Sequence, residues 1–169
     1  KLGSIIKTSG SPITYRFAGG RYFKVVTNYS NNSSAERTIY FSNSKIANAV
    51  GCILSSNLSF WFYQIFSDNL NWKTYEIENF TIPQLTFENI DFLDKVYNRY
   101  LADIEANANT RITSEESTYN IDSFKEYKIV RSKRIIDEID DYICPLYGLT
   151  QEETDFIKNY ELEFRLAGE

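Results

Sequence analysis

Ser55-Ser56-Asn57-Leu58-Ser59-Phe60-Trp61-Phe62-Tyr63-Gln64-Ile65-Phe66-Ser67-Asp68 leads through a polar turn into Ile77-Glu78-Asn79-Phe80-Thr81-Ile82-Pro83. Leu54, Leu58, Trp61 and Ile65 recur at spacings of four, three and four, the repeat that gives a helix one apolar face. Phe62 and Phe66 widen that face, and Phe60 and Tyr63 add aromatic flanks. A helix apolar nearly all round is buried on several sides or lends surface to a partner. Aromatic stripes at helical spacing are more often core than base-stacking platforms, so core is the reading adopted for Phe60, Trp61 and Tyr63.

Upstream, Ile13–Phe17 and Tyr22–Val26 flank Ala18-Gly19-Gly20, a hairpin signature. Asn28–Ser34 is too rich in Asn and Ser to pack and reads as a loop, after which Thr38–Phe41 regains strand composition. Ser42 or Ser44 is the expected cap of a helix from Lys45, carrying Ile46, Ala49, Val50 and Ile53 on one face, with a break at Gly51 or at Ser55-Ser56. Downstream, Tyr75–Ile82 reads as extended up to Pro83. Thr86 or Asn89 opens a long amphipathic helix with Ile90, Leu93, Val96, Tyr97, Tyr100, Leu101 and Ile104 inward. Asn107–Tyr119 reads as a linker, and Lys125–Tyr142 as a helix ended by Pro145, with Ile129, Ile135, Ile136, Ile139 and Ile143 inward. Thr150 with Glu153 forms a capping box for a last helix to about Tyr160. The expected class is α+β: a small β-rich lobe over 1–85, then a helical subdomain over 86–169.

The 169 residues suffice for one good core, and 43% apolar with 16% aromatic content fits a folded chain. No apolar run reaches the roughly 18 residues of a membrane span, and no signal-peptide pattern opens the chain, so the expected setting is cytoplasmic. The chain has no Met, and Lys1 is therefore expected to follow further residues of a longer protein. Cys52 and Cys144 form no Cys-x-x-Cys pair and read as reduced, buried small hydrophobes. The sequons at Asn32, Asn57 and Asn79 read as chance matches.

The ordered motifs resemble the C-terminal target-recognition domain of TaqI-like adenine-N6 DNA methyltransferases and type IIG restriction-modification enzymes. Leu54, Ser55, Ser56, Leu58, Phe60, Trp61 and Phe62 match that family's aromatic helix; Phe80, Ile82 and Pro83 match the segment closing its recognition lobe. Ile129 to Asp140, Tyr147-Gly148-Leu149-Thr150-Gln151-Glu152-Glu153 and Phe156 to Tyr160 resemble its C-terminal tail, so the likeness spans most of the chain from Lys45 onward. The N-terminal part matches only loosely, through Tyr15 to Tyr22. The resemblance implies duplex DNA as partner, together with a catalytic domain elsewhere in the parent chain that carries S-adenosylmethionine and methylates a flipped adenine.

The chemistry of this stretch is consistent with a non-catalytic role. It has no His, which removes His-based triads and imidazole ligands, and its three prolines are never paired, so the Asn-Pro-Pro-Tyr motif of amino-methyltransferases is missing. No cofactor is expected in this part of the protein, and no metal. Glu126-Tyr127-Lys128 after Asp122 matches part of a nuclease pattern but reads as a charged helix start. Asp137, Glu138, Asp140 and Asp141 read as a solvated helix face, braced by Lys133–Asp137 and Arg134–Glu138 pairs.

The net charge of −5 hides an asymmetry: residues 1–85 hold eight Lys/Arg against four Asp/Glu, and residues 86–169 ten against nineteen. DNA binding needs a local basic surface rather than a basic whole. Arg16, Arg21, Lys24 and Lys45 suit phosphates, while Asn28, Asn31, Asn32 and Arg37 suit base edges. Two alternatives stay open. One is a protein-interaction module whose acidic helical half docks a partner subunit; the other is half of a type I restriction specificity subunit.

Overall fold

A computed structural model describes residues 1–19, 24–112 and 123–166. It is an α+β protein, 54% helical and 16% strand. β1 (Ser11–Arg16) lies between β2 (Val26–Thr27) and β3 (Glu36–Phe41), antiparallel to both, with Ile13 opposite Ile39 and Tyr15 opposite Arg37. Alternation turns Ile13 and Tyr15 inward, fully buried, while Arg16 at the strand end is exposed.

Helix α1 (Ser44–Leu54) packs on this sheet and along α4 (Phe87–Ala106), and every residue from Ala47 to Leu54 is buried. Gly51 permits that approach. A β-carbon there would stand 2.5 Å from Cζ of Tyr97 and 2.8 Å from Cδ1 of Ile13. The Tyr97 hydroxyl donates to the Val26 carbonyl (3.1 Å), so α4 is tied to the sheet through the same contact. Residues on both sides of position 85 thus share one core. The α1 cap is Asn43, between the two expected serines: its side chain accepts the Ile46 amide at 3.0 Å.

The chain breaks at Ser55–Ser56, where Ser56 caps α2 (Asn57–Phe66) by accepting the Ser59 amide at 3.0 Å. Phe60 and Tyr63 are core, Trp61 and Phe62 are partly buried, and Ile65 and Phe66 are exposed. The apolar face is therefore covered only along its first two turns.

Three expectations are corrected. Tyr75–Ile82 is not extended, because α3 (Thr74–Asn79) occupies most of it; Glu76 accepts the Lys73 amide (2.8 Å) and Ile77 is fully buried, local contacts that favour a short helix. The linker from Asn107 begins instead with β4 (Asn109–Ile112), which pairs antiparallel with β5 (Ser123–Glu126); residues 113–119 of that expected linker lie outside the described residues. Helix does not start at Lys125 either: β5 and a 3-10 turn (Ile129–Ser132) precede α5 (Lys133–Leu146).

Pro145 sits inside the last turn of α5, and the chain stops at a Schellman motif. Gly148 adopts φ +80°, its amide reaches the Pro145 carbonyl (3.0 Å), and the Leu149 amide reaches that of Cys144 (3.1 Å). Thr150 and Glu153 cap α6 (Gln151–Asn159) reciprocally, and α7 (Leu162–Leu166) follows. Both cysteines are free and buried. No helix among the described residues is long and apolar enough to cross a membrane.

Candidate nucleic-acid interface

Beyond β1 the chain is held on two sides. The Phe17 amide donates to the Ala35 carbonyl (2.9 Å), the Phe17 carbonyl accepts the Trp72 amide (2.8 Å), and Ala18 bridges to Asn71. Three cations gather around this fixed corner. Arg16 Nε donates to the Ala18 carbonyl (2.9 Å) and Lys24 Nζ to that of Gly19 (2.7 Å). Arg37 lays its guanidinium 3.9 Å from the centre of the Phe17 ring and donates to its neighbour's carbonyl, that of Glu36 (2.8 Å). None of the three has a carboxylate within ion-pair distance among the described residues. Glu36, opposite Arg16 in the sheet, is turned away: its carboxylate accepts from Ser30 and from both nitrogens of Asn31.

Lys24 is the most perturbed of the three. Burial, then the neighbouring charge of Arg16, lowers its ammonium to about 8. Its Nζ lies 4.9 Å from the centre of the Tyr63 ring, which supplies partial compensation. An anion at this corner would relieve both perturbations.

The other sequence-selected residues are placed differently. Asn28 donates to Asn48 (3.0 Å), which itself donates to Asp94 (2.7 Å). Asn31 donates its amide to Glu36, and its Oδ1 lies 3.0 Å from the Tyr127 hydroxyl, whose single proton is shared with Glu105. Asn32 is exposed, in the left-handed region with φ 59°, and only its backbone is bonded, to Ser30 Oγ. Lys45 pairs with Asp91 (2.6 Å) in the first turns of α1 and α4, beyond the Phe41 end of β3. The corner cations sit at the Glu36 end, a strand length away, roughly 17–20 Å. Arg21 lies outside the described residues. The structure thus brings Arg16 and Lys24 together, sets Arg37 at the same strand end against Phe17, and leaves Lys45 apart.

The Asn loop is anchored by a carboxylate that the sequence did not single out. Glu105 of α4 accepts from Tyr29 (2.5 Å), Tyr127 (2.5 Å) and Lys125 (2.5 Å). Burial works to raise Glu105, but those three hydrogen bonds outweigh it and hold the carboxyl at about 2. Glu126 is likewise engaged, by Arg111 (2.9 Å) and Lys128 (3.5 Å), and no cluster of three or more metal-ligating side chains occurs among the described residues. Asp122 of the partial nuclease pattern lies outside them.

The acidic run on α5 is corrected in one member. Asp140 is fully buried and caps α2 from a distance, accepting the amides of Asn57 (3.0 Å) and Leu58 (2.9 Å) and the side chain of Asn57 (2.7 Å). Lys133 does pair with Asp137, whereas Glu138 pairs with Arg99 of α4 rather than with Arg134. Asn57 also donates to Asp137 (3.0 Å) and accepts from Arg165 of α7 (2.7 Å), closing a buried polar network. The signal lay in register: Asp140 falls one turn from Ile136 and Cys144, on the apolar side of α5.

The chain matches no protein-family profile, no curated protein and no solved structure.

Proposed function

We propose that this chain reads a short duplex DNA site as the target-recognition part of a bacterial adenine-N6 DNA methyltransferase or type IIG restriction-modification enzyme. The catalytic part, with its S-adenosylmethionine, would belong to the rest of that protein. The observation that carries the reading is the corner of Arg16, Lys24 and Arg37, three cations bonded to carbonyls rather than neutralised by carboxylates. Such charges release phosphate counterions without first breaking an ion pair. The ordered resemblance of the aromatic helix and the C-terminal tail supports it.

Titration of a labelled duplex at several salt concentrations tests the proposal. Replacing Arg16, Lys24 or Arg37 with Ala is expected to flatten the salt dependence by about one phosphate each. Lys45→Ala, already paired with Asp91, is expected to change little. Absence of any salt-dependent binding at low ionic strength would overturn the reading.

A second reading is favoured by an apolar groove of about 370 Å³ between α2 and α6, lined by Trp61, Phe62, Phe80, Leu149 and Phe156. One wall comes from the half of the chain holding nineteen acidic against ten basic residues and includes Glu153, which suits an apolar segment with basic flanks from a partner subunit. Light scattering with and without the rest of the parent protein separates docking from DNA reading.

A further inference from the structure

Behind the basic corner lies a small cavity of about 20 Å³, lined among others by Ser56, Ser59, Tyr63, Trp72, Lys24 and Arg165. Its lining is mixed, with Leu54, Phe60 and Ile129 adding apolar surface beside these polar groups. Ser59 is 1% exposed, and its hydroxyl has no hydrogen-bond partner among the described residues. A buried hydroxyl left unbonded costs about 1–3 kcal/mol, so its position calls for a ligand atom or a water. Two cations from opposite ends of the chain line the same space. Lys24 arrives from the strand lobe, and Arg165 from α7, where Asn57 Oδ1 and the Tyr160 carbonyl position its guanidinium 4.3 Å from the Phe60 ring centre. Of the carboxylates that act on these two cations, Asp137 and Asp140 are engaged by Lys133, Asn57 and the start of α2, Asp68 by the Lys73 ammonium and Glu76 by the Lys73 amide, while Glu161 also acts on Arg165.

We infer that this cavity is an oxyanion site that receives one oxygen of a phosphate group, with Ser59 Oγ donating and Lys24 and Arg165 supplying charge. The volume decides the ligand's reach. A water needs roughly 10–15 Å³ of such space, so about 20 Å³ admits one or two oxygen-sized atoms and excludes a base or a sugar. The lowered ammonium of Lys24 agrees with a site waiting for a negative charge. The inference rests in part on the DNA reading, since Lys24 belongs both to this cavity and to the corner that would meet the backbone. It adds Ser59 and Arg165, which the sequence did not select.

Trp72 lines the cavity and Trp61 lines the separate apolar groove, so a Trp61→Phe protein reports from Trp72 alone. Inorganic phosphate, sodium chloride at matched ionic strength and a labelled duplex are titrated in turn, the duplex also by anisotropy. Phosphate and duplex, but not chloride, are expected to change Trp72 emission. Ser59→Ala is expected to abolish the phosphate response and weaken duplex binding about tenfold without lowering the thermal midpoint of the ligand-free protein, because the hydroxyl removed is buried and unbonded. Lys24→Gln is expected to weaken both responses. If the duplex binds by anisotropy while Trp72 stays silent and Ser59→Ala binds normally, the cavity holds only water and the inference fails, with the DNA reading intact. If phosphate binds and Ser59→Ala abolishes it while no duplex binds, the site stands and the DNA reading fails. Silence in every titration overturns both.

Discussion

Replacing Asp140 with Asn tests the buried network through a change of sign with pH. The side chain keeps its shape, but an amide presents one acceptor and one donor where the carboxylate accepts three N–H bonds. At least one donor of Asn57 or Leu58 then lacks a partner, costing about 1–3 kcal/mol. Against this, burial raises Asp140, its three hydrogen bonds only partly offset that, and the charge of Asp137 adds to it, so the carboxyl stands at about 6 rather than 3.8. The folded state holds that proton up to about pH 6, whereas the unfolded chain releases it near 3.8. Below 3.8 the contribution to stability is complete, and it is lost as pH rises through about 6. Two pK units at about 1.4 kcal/mol each make the loss about 3 kcal/mol. Asn does not titrate. The variant is therefore expected to be less stable than wild type by about 1–3 kcal/mol at pH 4, and equal or slightly more stable at pH 7.5. At about 2–4 °C per kcal/mol for a chain of this size, the difference in thermal midpoint between the two proteins should move by about 6–12 °C across that range. Calorimetry at both pH values reads it directly. Carboxylates held low elsewhere, such as Asp68 and Glu105, are common to both proteins and cancel. A midpoint difference independent of pH would refute a buried, raised Asp140.

Gly51→Ala is expected to destabilise by about 1–3 kcal/mol in urea unfolding, since its β-carbon meets the buried Tyr97 ring and Ile13 at 2.5–2.8 Å and outweighs the gain in helix propensity. Glu105→Gln is expected to speed amide exchange across residues 28–35, because the Tyr29 and Tyr127 anchors of that loop weaken together. Glu105 is held below its ordinary 4.5, so its contribution is present above that value and is lost as pH falls toward 2; the variant should flatten the acid limb of a stability profile. Duplex affinity is expected to fall as pH rises from 7 to 9 while Lys24 loses its proton, and Lys24→Arg, which stays charged, should remove that fall in a titration at constant salt.

Where local chemistry closes on itself, sequence and structure coincide. Thr150 and Glu153 cap α6 reciprocally, the Ser55–Ser56 pair ends one helix and starts the next, and the apolar repeat of α4 buries Leu93, Val96, Tyr97, Tyr100, Leu101 and Ile104. Misreadings arose where a partner is distant. Asp140 reads as solvent-facing among four acids until α2, more than eighty residues earlier, supplies the amides that hold it. Tyr75–Ile82 reads as extended toward Pro83, but here a local contact decides, since Glu76 accepting the Lys73 amide and the buried Ile77 make a helix of most of it. The candidate site shows the same division. A count of charges gives residues 1–85 a surplus of four, with Arg16, Lys24, Arg37 and Lys45 equivalent members. The fold makes them unequal. Lys45 meets Asp91 across the α1–α4 contact, whereas the Ala18–Asn71 bridge and the rotation of Glu36 toward Ser30 and Asn31 leave Arg16, Lys24 and Arg37 facing backbone oxygens. Three cations without an ion pair among the described residues thereby lie at the Glu36 end of a three-stranded sheet. On the proposed DNA reading, that end is where the phosphate backbone would be met.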